Sequence, residues 1–507
     1  MYLVFTASKD TYITNKIISS QVRATDANLG AASTIDIFKL YGENLFTGET
    51  NPNELSRGLI KFDLSDISSS LKDKVDFSHS SFKATFKLHD VQGNQVAPNN
   101  FSLALFPLSK SFDEGKGKDV SGLSFLDRTN WLTASFTQTN NTWNSSGAFA
   151  SGALGANNID IIESGDVGGT STYFVKTQEF KKVNADLEMD VTNIVSASMV
   201  GILPDHGFLI AYSGSQEVDT QTRFVKRFAS RHTKNPYIRP KLIIRYDDSN
   251  IDQNQQFEFN VTGSVFLENF SRGTRTNLLS GSANTAITGD NCIILKISTG
   301  SYEKYFTGSQ MENAGIPQAG LYSASFAIDR YITSVVSGTT TLKNFVDASG
   351  SLSFGQEWLS LDETISYFSG SLSIAPQTRS AGRTANKYRF TITNLEKTYS
   401  PTDKPRLEVF VTDLTEEKKA VRIPIKLASK VLSEVYYQIR DPYNGKVLTP
   451  FTTAGNGTRL SSDKKTMYFS PSLSHLPVGK VYTIDLMTVI NGQRKKYMEN
   501  GVFRVVQ

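Results

Sequence analysis

Three acidic residues alternate along one short segment of the sequence. Asp186, Glu188 and Asp190 lie two positions apart, which places them on one face of a strand. A row of carboxylates suits calcium binding or acid–base chemistry. The residues after Asp190 have the pattern of a short helix, whose first amides need an acceptor. We therefore predict that Asp190 is the N-cap of this helix, that the other two carboxylates are solvated, and that no metal is bound.

The remaining reactive residue types form no constellation that indicates catalysis. Cys292 is the single cysteine, which excludes an internal disulfide, and its apolar strand pattern predicts a buried, inert thiol. No serine lies in a nucleophile elbow, and no glycine-rich loop has the pattern that cradles phosphate. We predict a protein that is not an enzyme and that uses no cofactor. The histidines have no metal-ligand spacing; they are His79, His89, His206, His232 and His475.

Two tryptophans in a long polar segment are the strongest candidates for ligand contact. Trp131 and Trp143 lie within residues 110–155, a stretch rich in Thr, Asn, Ser and Gly. Long loops in compact domains are usually functional or form interfaces. The two rings are suited to stacking on a host glycan, to plugging the end of a sandwich, or to packing on a neighbouring subunit.

Composition and charge narrow the class of protein. The chain has 507 residues and a formal net charge of +4, with Lys and Arg interspersed among Asp and Glu, so nucleic acid is not the expected partner. No window approaches the length of a membrane span, and no signal-peptide pattern follows Met1. We expect no membrane partner and synthesis in a cytoplasm.

The strand patterns predict an all-β fold: a jelly-roll-like β-sandwich followed by two further β-sandwich domains, the last immunoglobulin-like. Short alternating strands recur between Gly- and Ser-rich turns, and long helical periodicity is nearly absent. The predicted boundaries are 1–247 for the first domain, 248–256 for a polar linker, 257–398 for a Gly/Ser-rich β domain and 399–507 for the last.

Residues 223–247 are predicted to form the closing strands of the first domain. Phe224 and Phe228 lie an even number of positions apart, which predicts one common face. Earlier in the chain, Phe62 shares the apolar face of the pattern SRGLIKFDLSDI with Ile60 and Leu64. We predict that Phe62 and Phe228 are structural residues, with Phe62 in the core of the first sandwich.

Several short motifs occur in a familiar order over the first half of the chain. They are Asp10-Thr11-Tyr12, Asn28-Leu29-Gly30, Arg57-Gly58-Leu59-Ile60-Lys61-Phe62-Asp63-Leu64, Thr142-Trp143-Asn144, Asp190-Val191-Thr192, Ser230-Arg231 and Arg239-Pro240-Lys241-Leu242. In these motifs the first domain resembles the DNRLRE-type β-sandwich, also classed as carbohydrate-binding module family 96. The resemblance implies a structural role for Arg231 and a carbohydrate-binding or adhesive function. Where the family usually has a carboxylate after the Ser-Arg pair, this chain has His232.

The middle of the chain, with glycine-serine pairs among aromatic residues, resembles structural proteins of tailed bacteriophages, especially those of marine hosts. This resemblance predicts a virion protein of the neck, tail or head surface, made in the host cytoplasm. Its expected partners are other virion proteins and further copies of itself around a symmetry axis. The alternative is a carbohydrate-binding or adhesive module. A virion component is expected to expose an edge strand or apolar surface, and a binding module an aromatic platform on the first domain.

Overall fold

The protein's structure, a computed structural model, describes the whole chain except residues 20, 92–99, 121–127, 137–141, 183, 254–255, 377–386, 415–427, 464–465 and 491. Strands arranged in several sheets make up most of the regular structure, so the predicted all-β class is confirmed. The chain divides into two compact units, Tyr2–Arg245 and Tyr246–Gln507, with Met1 belonging to the second. Among the described residues, no helix combines the length and apolar character needed to cross a membrane.

In its described part, the first unit is built from short strands with three helices between them. The helices are α1 (Leu64–Leu71), α2 (Thr192–Met199) and α3 (Ser215–Val218), and a 3-10 turn covers Pro236–Ile238. The strands are β1 (Tyr2–Thr6), β2 (Lys9–Thr14), β3 (Ile17–Ile18), β4 (Val22–Arg23), β5 (Thr34–Tyr41), β6 (Asn53–Lys61), β7 (Lys83–Leu88), β8 (Phe101–Pro107), β9 (Ser151–Ala153), β10 (Ile161–Val167), β11 (Thr170–Tyr173), β12 (Lys176–Phe180), β13 (Leu187–Asp190), β14 (Phe208–Tyr212), β15 (Arg223–Ala229) and β16 (Lys241–Arg245).

Two sheets of this unit face each other. The smaller has the order β1-β16-β7-β13, and the larger the order β12-β8-β14-β6-β5-β15 with β2 also paired to β6. Phe86 of β7 and Phe208 of β14 meet edge to face, with ring centroids 5.4 Å apart. Phe62 lies against both rings, at 5.7 Å and 6.4 Å, and is 1% exposed. These aromatic contacts join the two sheets into a sandwich.

Two details of the predicted strands differ from the structure. The alternating pattern around Phe62 does not continue as a strand to Leu64, because β6 ends at Lys61 and helix α1 begins at Leu64. Leu64, Ile67 and Leu71 are buried at helical spacing, which the strand interpretation missed. The strands of residues 223–247 do not pair with each other: β15 pairs with β5, whereas β16 pairs with β1 and β7 in the other sheet.

The second unit contains one helix, α4 (Leu342–Ser349), and a 3-10 turn at Ala454–Asn456 among its described residues. Its strands are β17 (Phe257–Glu258), β18 (Gly263–Glu268), β19 (Phe270–Ser271), β20 (Thr274–Arg275), β21 (Leu279–Ser280), β22 (Thr285–Ala286), β23 (Ile293–Thr299), β24 (Tyr302–Asn313), β25 (Ile316–Phe326), β26 (Val335–Ser337), β27 (Thr340–Thr341), β28 (Leu352–Leu359), β29 (Ser366–Ala375), β30 (Tyr388–Ile392), β31 (Thr398–Tyr399), β32 (Leu407–Asp413), β33 (Val435–Arg440), β34 (Val447–Thr449), β35 (Ser461–Ser462), β36 (Met467–Phe469), β37 (Val481–Ile490) and β38 (Gln493–Val505).

The middle of the chain forms one seven-stranded sheet in the order β17-β29-β28-β23-β24-β25-β18. Its core face is covered by α4 and by the short hairpins, which contribute Leu342, Val346, Leu278 and Ile287 to one hydrophobic cluster with Trp358. The glycine-serine pairs were all expected at turns. Gly300 does lie in a turn, at a φ of 58°, but Gly370 and Ser371 lie inside β29.

The C-terminal region is a sandwich of two sheets, β30-β32-β36-β35 and β31-β38-β37-β33-β34. Tyr437 and Phe469 stack across them at 4.5 Å. Because β30 pairs with β32, the predicted boundary at residue 399 falls inside this sandwich. The alternating pattern AVRIPIKL predicts a further strand at residues 420–427, and these residues lie outside the described ones.

The predicted linker at residues 248–256 is packed where the structure describes it. The amide of Ser462 donates to the carbonyl oxygen of Asn250 at 2.7 Å, and Ile251 forms a β-bridge with Ser462. Asp252 is only 6% exposed. Although its composition is polar, this segment is held by backbone hydrogen bonds and is not a free linker.

Candidate functional site

Trp131 and Trp143 are buried in a hydrophobic cluster of the first unit and are 6% and 5% exposed. The indole N–H of Trp143 donates to the carbonyl oxygen of Asn130 at 3.0 Å. The Arg57 guanidinium lies 5.0 Å from the Trp131 ring centroid and forms a bidentate ion pair with Glu217. Neither ring therefore offers an open face to a glycan or a subunit, and packing inside the sandwich is the role that the geometry gives them.

Arg231 lies in a polar cluster that three of the sequence motifs build together. Its guanidinium contacts both carboxylate oxygens of Glu114, at 2.9 and 2.7 Å, and its backbone N–H donates to Asp10. Asn28 donates to the carbonyl oxygen of Glu114, and a Cβ at Gly115 would lie 2.2 Å from the Asn28 amide oxygen. The carboxylate that pairs with Arg231 is thus Glu114, far away in sequence.

Asp10, Glu114 and His232 bring their ligand atoms within 4.8 Å of one another, which the sequence spacing did not indicate. Burial raises the pKa of Asp10 to about 7, against the hydrogen bond from Arg231, and the Glu114 charge adds to the rise. Since Arg231 already supplies the positive charge beside Glu114, we interpret the cluster as structural: it connects β2 to the two segments that contain Glu114 and Arg231.

The three alternating acidic residues, Asp186, Glu188 and Asp190, each contact a different partner. Asp186 accepts from His89 at 2.9 Å, and Glu188 pairs with Lys87 at 2.9 Å. Asp190 accepts from the amide of Thr192 at 2.9 Å, but the N-cap position of α2 is Val191. The predicted cap is therefore displaced by one residue, although the Asp190 carboxylate does satisfy a first-turn amide. Burial opposes ionisation of Asp190, but its hydrogen bonds from Thr192 lower the pKa.

Phe228 and Phe224 do not share a face as the pattern predicted. Phe228 is fully buried in β15, and Lys226 beside it is 1% exposed. A register shift between Arg223 and Lys226 interrupts the pairing of β15 with β5, and Phe224 is 46% exposed. A bulge adds a residue to one strand and reverses the direction of the side chains before it. It turns Phe224 outward.

Phe224 borders an open groove of about 570 Å³ on the first unit, which we call the Phe224 groove. Its lining combines rings with polar groups and includes Tyr12, Asp36, Phe38, Leu40, Phe224 and Arg227. Arg227 holds Asp36 in a bidentate ion pair, at 2.8 and 2.6 Å. Burial raises the pKa of the Tyr12 hydroxyl still further above neutral, and the protonated hydroxyl can donate a hydrogen bond. Rings beside fixed polar groups are the usual composition of a ligand site.

Strand β29 presents the second candidate, a sheet edge. The neighbouring strand β17 pairs with it only at Ile374 and Ala375. No other described strand pairs with the outer side of β29, and we call this side along residues 366–373 the β29 edge. The sequence SYFSGSLS along it contains neither charge nor proline. Proteins usually protect an edge with one of these, so the β29 edge is suited to pairing with another strand.

In the same unit, the beginning of β38 differs from the β29 edge because it carries exposed charges. Arg494, Lys495 and Lys496 are exposed there, and the pairing of β38 with β37 shifts register between Ile484 and Leu486. The last residues of β38 are covered, because β31 pairs with Arg504 and Val505. Cys292, expected to be buried, is half-buried, and its burial raises the thiol pKa.

Sequence reasoning missed both candidate sites. The Phe224 groove depends on a bulge that alternation alone does not reveal, and the β29 edge depends on sheet order. The uncharged run at residues 366–375 was the available signal for the edge. A scan against protein-family models gives no match to the chain, and no curated protein matches it.

Proposed function

We propose that this protein is a structural component of a tailed-bacteriophage virion and that it acts through assembly contacts with other proteins. The observation that carries the assembly role is the β29 edge. The strand is long and contains neither charge nor proline, and no described strand covers its outer side at residues 366–373. Main-chain hydrogen bonds along such an edge give affinity to a partner strand. The virion assignment rests on the resemblance of the Gly/Ser-aromatic middle region.

Mass spectrometry of purified particles from the source of the sequence tests this proposal. We expect peptides of both units in intact particles, in a constant ratio to the major particle proteins. A chain that is absent from particles and that binds none of their proteins in solution would refute the proposal.

A second function, carbohydrate binding, is favoured by the Phe224 groove. Phe224 supplies an exposed ring, and the Asp36–Arg227 pair supplies fixed hydrogen-bonding groups beside it. Aromatic faces next to planar polar groups suit a polyhydroxylated ring. The groove, not the tryptophan loop, is the place where the first unit offers such a surface.

Glycan-array binding by the full chain tests this second function. If the groove binds sugar, Phe224→Ala abolishes the signal. The matched control is Tyr173→Ala, which removes another exposed ring, 62% accessible, from the same unit outside the groove. Equal loss in both variants, or no binding by the unmodified chain, would exclude the groove as a glycan site.

A further inference from the structure

The sequence of β29 is nearly symmetric about Gly370. Ser369 and Ser371 flank the glycine, and Phe368 and Leu372 flank the serines. The three serines at 369, 371 and 373 are exposed, whereas Leu372 is 2% exposed and lies in the core cluster. Side chains alternate between faces along a strand. The serines thus lie on one face, and the apolar positions on the other.

Phe368 completes the apolar side of this strand. It pairs in register with the buried Trp358 of β28, and its ring lies 2.8 Å from where a side chain at Gly370 would begin. The ring is 39% exposed at the margin of the core. A strand approaching from outside would therefore meet an apolar ring on one face and small hydroxyls on the other.

We propose that two copies of this chain pair through their β29 edges, antiparallel and related by a two-fold axis at Gly370, which makes one continuous sheet of the two middle sheets. This inference rests on the proposed assembly function and names the partner as a second copy. A two-fold at Gly370 places Phe368 opposite Leu372 of the copy and Ser369 opposite its Ser371. On one face of the new strand pair, apolar side chains of the two copies then lie side by side. On the other face, serines lie beside serines.

The chain itself limits the register of this pairing. Strand β17 occupies the outer side at Ile374 and Ala375, so a partner strand can extend only to residue 373. The open stretch is then centred close to Gly370, where the absent side chain leaves room for the rings of Phe368 from both copies. The lack of charge removes the like-charge repulsion that self-pairing would otherwise bring.

Charge reversal on the full chain tests the pairing directly. The variant S369K/S371K sets two lysines of each copy opposite two of the other, and S369E/S371E does the same with glutamates. Analytical ultracentrifugation is expected to show dimers of the unmodified chain and monomers of each variant alone. An equimolar mixture of the two variants is expected to restore the dimer, because opposite charges then face each other across the axis. That recovery also excludes misfolding as the cause of the monomers.

The control is Thr307→Lys, which adds a single lysine at an exposed position on β24, an interior strand of the same sheet. It should leave the dimer intact. A monomeric unmodified chain, dimers that persist in both double variants, or a mixture that stays monomeric would overturn the self-pairing. The particle assay above is independent: a chain found in particles but monomeric in solution overturns only the pairing, and a dimer absent from particles overturns only the virion assignment.

Discussion

Replacing Asp10 with Asn is predicted to change how the stability of the first unit depends on pH. Asp10 is 1% exposed, and burial raises its pKa from 3.8 to about 7. In the unfolded chain the carboxyl ionises near its ordinary value. Between about pH 4 and 7 the folded state therefore binds one proton more than the unfolded state, and the free energy of unfolding falls as the pH rises.

The size of this effect follows from the shift. One pH unit corresponds to about 1.4 kcal/mol, so roughly three units amount to about 4 kcal/mol lost by pH 7. Asn keeps an acceptor for the Arg231 amide but carries no charge beside Glu114. The Asp10→Asn variant should thus match the unmodified chain near pH 4 and exceed it by up to about 4 kcal/mol near pH 7.

Urea unfolding from pH 4 to 8, followed by tryptophan fluorescence, measures this difference. Trp358 would add the signal of the other unit, so the series is best made in a Trp358→Phe background. The Trp358 indole N–H has no hydrogen bond within the described structure, so its removal orphans no partner. Asp73→Asn, at an exposed position, is the control and should follow the parent curve. Parallel curves for the parent and Asp10→Asn would refute the raised pKa.

Three further predictions concern stability and local structure. Phe62→Ala should lower the free energy of unfolding by about 3–5 kcal/mol through lost burial and a cavity, measured by urea denaturation; an unchanged midpoint would place this ring in solvent. Asp190→Ala should cost about 1 kcal/mol through the lost Thr192 bond and Asp190→Asn less, whereas a calcium-dependent stabilisation abolished in both variants would indicate a metal site. Limited proteolysis followed by mass spectrometry should find residues 249–253 resistant while the second unit stays folded, and first cleavage there would contradict their pairing with Ser462.

The parts of the fold that follow from alternation were predictable, and the parts that follow from long-range pairing were not. The pattern FKATFKL gives β7, because apolar residues at every second position fit a half-buried strand. Helix α1 was missed because Leu64 suits both a strand that continues from Phe62 and a helix that begins there. Only Ile67 and Leu71 decide between them, and the serines around them weaken the signal.

The polar cluster shows the same limit at the level of side chains. The motifs that contain Asp10, Asn28 and Arg231 could be recognised in order, but their common partner, Glu114, lies in no motif. Its position depends on how the segment after β8 folds back onto β2. Local sequence carries no information about that return, so the ion pair became visible only in the structure.

The exposed serines of β29 would affect pairing with a second strand, but the core of the middle sheet does not require them. Ser369 and Ser371 are exposed on the solvent side of an outer strand, so a lysine would fit there without touching the core. Folding of the middle sheet depends instead on Leu372, Phe354 and Trp358, which fill its core face. Neutral, small side chains on the β29 edge are therefore not required by the interior of this chain. A second strand placed against that edge would be sensitive to them, because charge there acts directly on a cross-strand neighbour.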